Sequence, residues 1–103
     1  MAKFIFVYHG GSGMPSTPEE GAAVMAKWQA WLGGLGAAVV DGGNPAGPSM
    51  TVGSSGVTEG GGANPMSGYS LVEADNMEAA IEMAKGCPAA IDGTVEVAEA
   101  MEI

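Results

Sequence analysis

Residues 3–9 read Lys3-Phe4-Ile5-Phe6-Val7-Tyr8-His9, a short run of aromatic and β-branched side chains. These residue types favour an extended strand. Alternate positions divide the run into two sets, Phe4, Phe6 and Tyr8 on one face and Ile5, Val7 and His9 on the other. Apolar residues therefore occupy both faces, and a strand that is buried on both faces belongs in the middle of a covered sheet.

A helix is predicted after this strand, beginning at residues 17–20, Thr17-Pro18-Glu19-Glu20. Thr17 can cap the helix, a proline suits the first helical position, and Glu20 completes a capping box. Glycines at positions 33, 34 and 36 predict that the helix ends near residue 35. Apolar residues recur at helical spacing between these limits, which indicates core packing of one stripe: Val24, Trp28, Trp31, Leu32 and Leu35.

The middle of the chain is rich in glycine, proline and serine. Residues 37–40 predict a short second strand, and Asp41 with the following residues 42–45, Gly42-Gly43-Asn44-Pro45, predicts a turn. In the excursion over residues 42–66, residues 50–52 and 57–58 are able to pair as a small hairpin. A loop of this length in a small domain is usually functional or mobile. Because the excursion combines many glycines with little hydrophobic periodicity, we expect it to be the most mobile part of the fold and to close over the site as a lid.

The last third of the chain repeats the order strand, helix, strand. Residues 69–74 predict a strand, Asp75 with Glu78 three residues later predicts a helix cap, and Gly86 predicts the helix end. The inner face of this helix is predicted to comprise Met77, Ala80, Ile81 and Ala84. Residues 94–103 alternate with a period of two and predict a final strand, whose apolar face holds Val95, Val97, Met101 and Ile103 together with Glu99.

This order of elements predicts a single α+β domain over residues 1–103. It matches the ferredoxin-like split βαβ arrangement, in which an antiparallel sheet of order 4-1-3-2 carries both helices on one face. The opposite face of the sheet then needs a cover. We expect a second copy of the chain to provide it, as a two-fold homodimer that encloses an apolar cavity in a dimeric α/β barrel.

Composition excludes several classes of function. The 103 residues carry a formal net charge of −9, from 12 carboxylates against 3 lysines and no arginine. Nucleic acids and anionic membranes need clustered cations, so we expect neither as a partner, and strongly anionic substrates are disfavoured. Cys87 is the single cysteine and is expected to be a buried apolar residue. We expect no metal site and no cofactor, and the absence of a signal or apolar span in these residues favours a cytoplasmic protein.

His9 is the only histidine and stands at a strand end, where a group that titrates near neutrality suits proton transfer. The first and second strands run the same way in the predicted sheet, so His9 and Asp41 finish at one edge, about 10 Å apart. Tyr69 begins the third strand there and could donate its hydroxyl to a carbonyl or enolate. Glu99, on an apolar face, would suit a general base if buried.

Each of these side chains also has a structural interpretation. His9 can be a hydrogen-bonded structural histidine, and Asp41 before Gly-Gly-Asn-Pro is a common turn former. Tyr69 can simply pack its ring, and Glu99 can lie at the edge of a dimer interface.

The chain resembles the YCII-related family of dimeric α+β-barrel proteins. The resemblance covers essentially the whole chain and is carried by the strand that ends in His9, the helix start at 17–20, Trp28 and Trp31, residues 35–37 (Leu35-Gly36-Ala37), and residues 68–70 (Gly68-Tyr69-Ser70) followed by Asp75. It implies a ferredoxin-like protomer, a homodimer and, as in some members, a histidine–aspartate pair for acid–base work. His9 matches the family histidine and Asp41 is the best match for its acidic partner. Relatives include dehydrochlorinase-type lyases and muconolactone-isomerase-like enzymes.

The sequence is therefore consistent with three functions. The first is a small cofactor-independent lyase or isomerase acting on a compact apolar or aromatic metabolite through His9 and Asp41, with Tyr69 and Glu99 as substrate-binding residues. The second is a non-catalytic dimeric binding or accessory protein that uses the same cavity, and the third is a purely structural interaction domain. Convergence of His9 and a carboxylate in one solvent-reachable apolar pocket would favour the enzyme, and their dispersal would favour binding or scaffolding.

Overall fold

The computed structural model describes residues 2–10, 17–60 and 65–101. The elements follow in chain order as β1 (Ala2–Gly10), α1 (Pro18–Leu35), a 3₁₀ turn (Gly36–Ala38), β2 (Val39–Asp41), β3 (Met50–Gly53), β4 (Gly56–Glu59), β5 (Met66–Ala74), α2 (Met77–Lys85), α3 (Ala89–Asp92) and β6 (Gly93–Glu99). Within these described ranges the strands form a four-stranded sheet of order β2-β5-β1-β6 and a separate two-stranded hairpin, β3-β4.

Every neighbouring pair in the four-stranded sheet is antiparallel. Strands β1 and β2 lie on either side of β5, and both are antiparallel to it, so they run in the same direction. The architecture is therefore α+β with an antiparallel sheet, which confirms this part of the predicted fold class; the dimeric barrel stays a prediction. The strand order is the one predicted from the sequence and is compatible with a ferredoxin-like arrangement.

The core lies between the helices and one face of the sheet. Phe4 and Phe6 of β1 and Val72 of β5 are at most 1% exposed, because alternate residues of each strand point to the helix side. The small side chains of α2 that face them let the helix approach the sheet closely. The buried apolar cluster comprises Phe4, Phe6, Tyr8, Val72, Ala74, Ala80, Ala84 and Cys87, which confirms the expected burial of the cysteine.

Helix α1 begins as the capping box predicts, with the Thr17 hydroxyl accepting a hydrogen bond from the Glu20 N–H at 3.1 Å. It packs on the sheet mainly through two indoles. Trp31 lies 6.1 Å from the Phe6 ring, and Trp28 meets the Tyr8 ring edge-on at 4.8 Å. The Trp31 Nε1–H also donates to the Met83 carbonyl of α2 at 2.9 Å, which joins the two helices. The predicted packing role of both indoles is thus confirmed.

The predicted apolar stripes are wider than the faces that are buried. Val24 in α1 is 42% exposed, and Met77 and Ile81 in α2 are 36% and 41% exposed. In α2 only Ala80 and Ala84 are fully buried. The inner face predicted for α2 was therefore wrong for its two large residues, because only small side chains fit where the helix contacts the sheet and the larger ones lie on its flanks.

The boundaries of several elements differ from the sequence prediction. The cap of α2 is Asn76, whose side-chain oxygen accepts from the Ala79 N–H at 2.8 Å, so the prediction of Asp75 was wrong by one residue. Residues 36–38 form a 3₁₀ turn, which leaves three residues for β2. The final strand ends at Glu99, four residues before the predicted end, and residues 102–103 lie outside the described residues. Helix α3 was not predicted.

The glycine-rich excursion contains the small hairpin that the sequence allows. Strands β3 and β4 pair in register from Met50 with Glu59 to Gly53 with Gly56. The backbone before the hairpin continues alongside β5 through a bridge between Pro45 and Gly68. The mobility expected for residues 42–66 stays a prediction, and residues 61–64 of this range lie outside the described residues.

The second face of the sheet is much less covered than the helix side. Ile5 and Val7 of β1 and Leu71 of β5 are only half-buried, although β1 and β5 are the two central strands. Their neighbours on the helix side, Phe6 and Val72, are 0% exposed. The open sheet face, as we call the surface formed by Ile5, Val7, His9, Tyr69, Leu71 and Glu96, is thus an apolar surface with a few polar groups.

None of the helices in the described ranges is long and apolar enough to cross a membrane.

Candidate functional site

The candidate site lies on the open sheet face, near the end of β1. His9 is 15% exposed in its side chain, and its Nε2 lies 3.0 Å from Oε1 of Glu96 on β6. Glu96 is the register partner of Val7, two residues before His9 on the same face of β1. The imidazole is therefore shielded but reachable, and a carboxylate holds its Nε2.

Glu96 was missed as a partner of His9, although the sequence carries a signal for it. Val95 and Val97 face the helices, so Glu96 between them faces the other side of the sheet. His9 is on that same side because it alternates with Phe6 and Tyr8. Since the last strand lies next to the first in the predicted order, the pairing follows from the two alternations taken together.

Tyr69 also belongs to the open sheet face. It is the register partner of Val7 from β5, opposite Glu96, which pairs with Val7 from β6. Its side chain is half-buried, and Gly43 lies against its backbone and ring. The structure thus brings Tyr69, Glu96 and His9 to neighbouring positions around Val7.

Asp41 lies elsewhere. Its register partner is Leu71, which pairs on its other side with Ile5, so Asp41 is level with Ile5 rather than with His9. The offset is about 13 Å along the strands and about 10 Å across them. The Asp41 carboxylate accepts a hydrogen bond from the Gly43 N–H at 2.8 Å, as a turn-forming aspartate does. The structure therefore does not bring Asp41 to His9, because β2 ends four residues short of the level of His9.

Glu99 is on the helix side of the sheet, opposite Phe4 in register, at the end of β6. It is exposed, so the burial that would suit a general base is not observed. The strand ends at this residue, which leaves its side chain at the margin of the core and away from the open sheet face.

A buried hydroxyl chain lies behind the site on the helix side. The Tyr8 hydroxyl donates to Ser70 Oγ at 2.7 Å, and Ser70 Oγ donates to the Gly42 carbonyl at 2.7 Å. The pKa of Tyr8 is raised to about 12, chiefly by burial; the hydrogen bond with Ser70 lowers the pKa in part and Cys87 raises it. Burial likewise raises the pKa of the Cys87 thiol. Tyr8 and Cys87 are therefore protonated near neutral pH. The two hydrogen bonds of Ser70 tie β1, β5 and the turn after β2 together.

The described residues contain no group of three or more histidine, cysteine, aspartate and glutamate side chains placed to hold a metal ion. The site that the structure assembles is thus a histidine–carboxylate pair with a neighbouring phenol on an apolar sheet surface. No family model matches the chain, and no curated protein matches it.

Proposed function

We propose that the protein is a small cofactor-independent enzyme of the lyase or isomerase type, in which His9 exchanges a proton with a compact apolar or aromatic substrate. The observation that carries the proposal is the 3.0 Å contact between His9 Nε2 and Glu96 on the open sheet face. A histidine that is oriented by a carboxylate beside an apolar surface is the arrangement that general acid–base catalysis uses.

Each polar group has a role in this proposal. The Glu96 carboxylate accepts the Nε2–H of His9, which fixes the ring orientation and stabilises the imidazolium once it forms. The Tyr69 hydroxyl donates to a substrate carbonyl or enolate, as its place beside Val7 on the same face allows. Glu96 thus takes the role that the sequence suggested for Asp41.

The proposed active form is a homodimer. The open sheet face exposes apolar residues of two central strands, and a second copy of the same face would cover them around a two-fold axis. Such a cover would turn the surface around His9 into a cavity that excludes bulk water. The resemblance to the YCII-related family supports this assembly. Sedimentation at micromolar concentration tests it, and a stable monomer would remove the cavity from the proposal.

The alternative is a non-catalytic dimeric protein that binds a small molecule on the same face. One observation favours it: the side chain of Glu96 is 67% exposed, so solvent can compete for the carboxylate that would orient His9. A binding protein needs no fixed imidazole, whereas an acid–base enzyme does.

Activity measurements distinguish the two functions. A metabolite screen with the wild type identifies turnover, and His9→Ala should lower it by roughly 10²- to 10⁴-fold while stability changes by about 1 to 2 kcal/mol. Glu96→Gln should reduce the rate less, because an amide still contacts the ring. Glu78→Gln, an exposed change in the first turn of α2, is the control and should leave the rate unchanged. Turnover that survives in His9→Ala would contradict the proposed role.

A further inference from the structure

A groove lies where the β3-β4 hairpin meets the start of β5. We call it the hairpin groove; it has a volume of about 630 Å³ and is lined by Pro48, Met50, Glu59, Gly60, Pro65 and Met66. Sites for small organic ligands commonly fall between about 300 and 1,000 Å³. The groove is therefore large enough for a compact ring compound.

Backbone hydrogen bonds hold the walls of the groove in place. The Ala46 N–H donates to the Ser67 carbonyl at 3.0 Å, which anchors the chain before β3 to β5. The Gly60 N–H donates to the Ser49 carbonyl at 2.7 Å and closes the base of the hairpin. The Thr51 hydroxyl donates to the Gly60 carbonyl at 2.6 Å. The hairpin is thus attached to the sheet at its base.

The groove adjoins the histidine site. Met66, one of its walls, is the register partner of His9. The register of β1 and β5 shifts between Tyr8 and His9, so this pair lies at an irregularity of the ladder, where the two strands still run side by side. A molecule seated against Met66 therefore lies at the end of β1 that carries His9.

The lining chemistry limits what the groove can accept. Two methionines and two prolines provide an apolar surface, and thioether sulfur makes favourable contacts with aromatic rings. Glu59 is the charged side chain among the lining residues, and the entire chain carries 3 cations against 12 carboxylates. An anionic ligand would meet a carboxylate with no cation opposite it.

We propose that the hairpin groove binds the aromatic ring of a substrate that carries no negative charge, and presents its reactive carbon to His9. The link to His9 rests on the function proposed above. Binding of the ring in the groove is a separate property, which can be measured without any turnover.

Methionine methyl NMR provides the test. The protein is labelled at the methionine methyl groups and titrated with three matched probes: 2-naphthalenemethanol, 2-(aminomethyl)naphthalene as a cation, and 2-naphthoate as an anion. We expect the neutral and cationic probes to shift the Met50 and Met66 resonances, whereas those of Met25 and Met101, which lie outside the groove, stay in place. The anion should bind at least about fivefold more weakly, because Glu59 repels it.

A pair of variants controls for simple exposure. Met50 and Met25 are 58% and 57% exposed, but only Met50 lines the groove. Met50→Gln should weaken binding of the neutral probe by about fivefold or more through loss of apolar contact, and Met25→Gln should not. Equal effects of the two variants, or equal shifts of all four methyl resonances, would overturn the proposal.

The remaining outcomes separate this proposal from the proposed function. Probe binding that persists in His9→Ala supports the groove whether or not turnover is ever found. Turnover that depends on His9, with no probe shift at Met50 or Met66, would overturn the groove and leave the enzyme. A Met50 resonance that moves on dilution of the protein alone would show that a second copy fills the groove, which also overturns ligand binding there.

Discussion

Ser70→Ala should destabilise the protein by about 2 to 4 kcal/mol although it removes a single oxygen atom. The hydroxyl is 0% exposed, accepts from the Tyr8 hydroxyl at 2.7 Å and donates to the Gly42 carbonyl at 2.7 Å. Its loss leaves the buried Tyr8 hydroxyl without this acceptor, a cost of about 1 to 3 kcal/mol, and removes a second hydrogen bond of about 1 kcal/mol.

Variants of Tyr8, the hydrogen-bond partner of Ser70, check the size of this loss of stability. Tyr8→Phe keeps the bond from Ser70 to Gly42 and should cost only about 1 kcal/mol. In the double variant no phenol is left unpaired, so the two effects should fall short of additivity by about 1 to 2 kcal/mol. Ser67→Ala, an exposed change on the same strand, should stay within about 0.5 kcal/mol of the wild type.

Urea unfolding followed by tryptophan fluorescence measures these changes. Trp28 and Trp31 pack edge-on against Tyr8, so their emission reports on the packing around the hydroxyl chain. Protein concentration must be held constant, because association would add to the apparent stability. If Ser70→Ala unfolds within about 0.5 kcal/mol of the wild type, or if the double variant is additive, the hydroxyl chain does not stabilise the fold as inferred.

Three further predictions concern the same region. Gly43→Ala should lower the free energy of unfolding in urea by at least about 2 kcal/mol, because Gly43 has φ +75° and an added Cβ would collide with the Tyr69 carbonyl. Gly42→Ala is the milder control, since its Cβ would lie 3.7 Å from a Leu32 methyl group. The pKa of Tyr8 is raised from 10.0 to about 12 in the folded protein, so the folded state holds the phenol proton more tightly than the unfolded state. The free energy of unfolding should therefore be unaffected by this group below about pH 10 and should fall by up to about 2 kcal/mol as pH rises to about 12, and by less in Tyr8→Phe. Cys87 should react slowly with an aromatic disulfide reagent until the protein is unfolded, and fast reaction of the native protein would contradict its burial.

Local signals in the sequence predicted helices α1 and α2 well. The cap of α1 at Thr17 and the end of α2 at Gly86 were read from a few neighbouring residues, and the structure confirms both. Capping depends on hydrogen bonds within one turn, so the necessary information lies within a few positions. The error of one residue at Asn76 arose because Asp75 and Asn76 are both good caps and their local sequence does not rank them.

The candidate site was harder to predict because its members come from different strands. The sequence singled out His9 and Tyr69, which lie on the open sheet face around Val7. It suggested Asp41 as the partner of His9, but the register of β2 places this residue level with Ile5. A strand of three residues carries too little pattern to set its own register, since pairing is specified mainly by the alternation of buried residues along it.

The sequence was sufficient for the order of the strands and of helices α1 and α2, the faces of β1 and β6, and the burial of Cys87, since each follows from alternation, capping or residue type. Pairing across strands decided the rest. It brought His9 into contact with Glu96, which is 87 positions away in the sequence, and it paired Met66 of the hairpin groove with His9. It also left the Asp41 carboxylate bonded within its own turn. Such contacts depend on register and on the path of the chain between the strands, and these become definite only when the sheet has assembled.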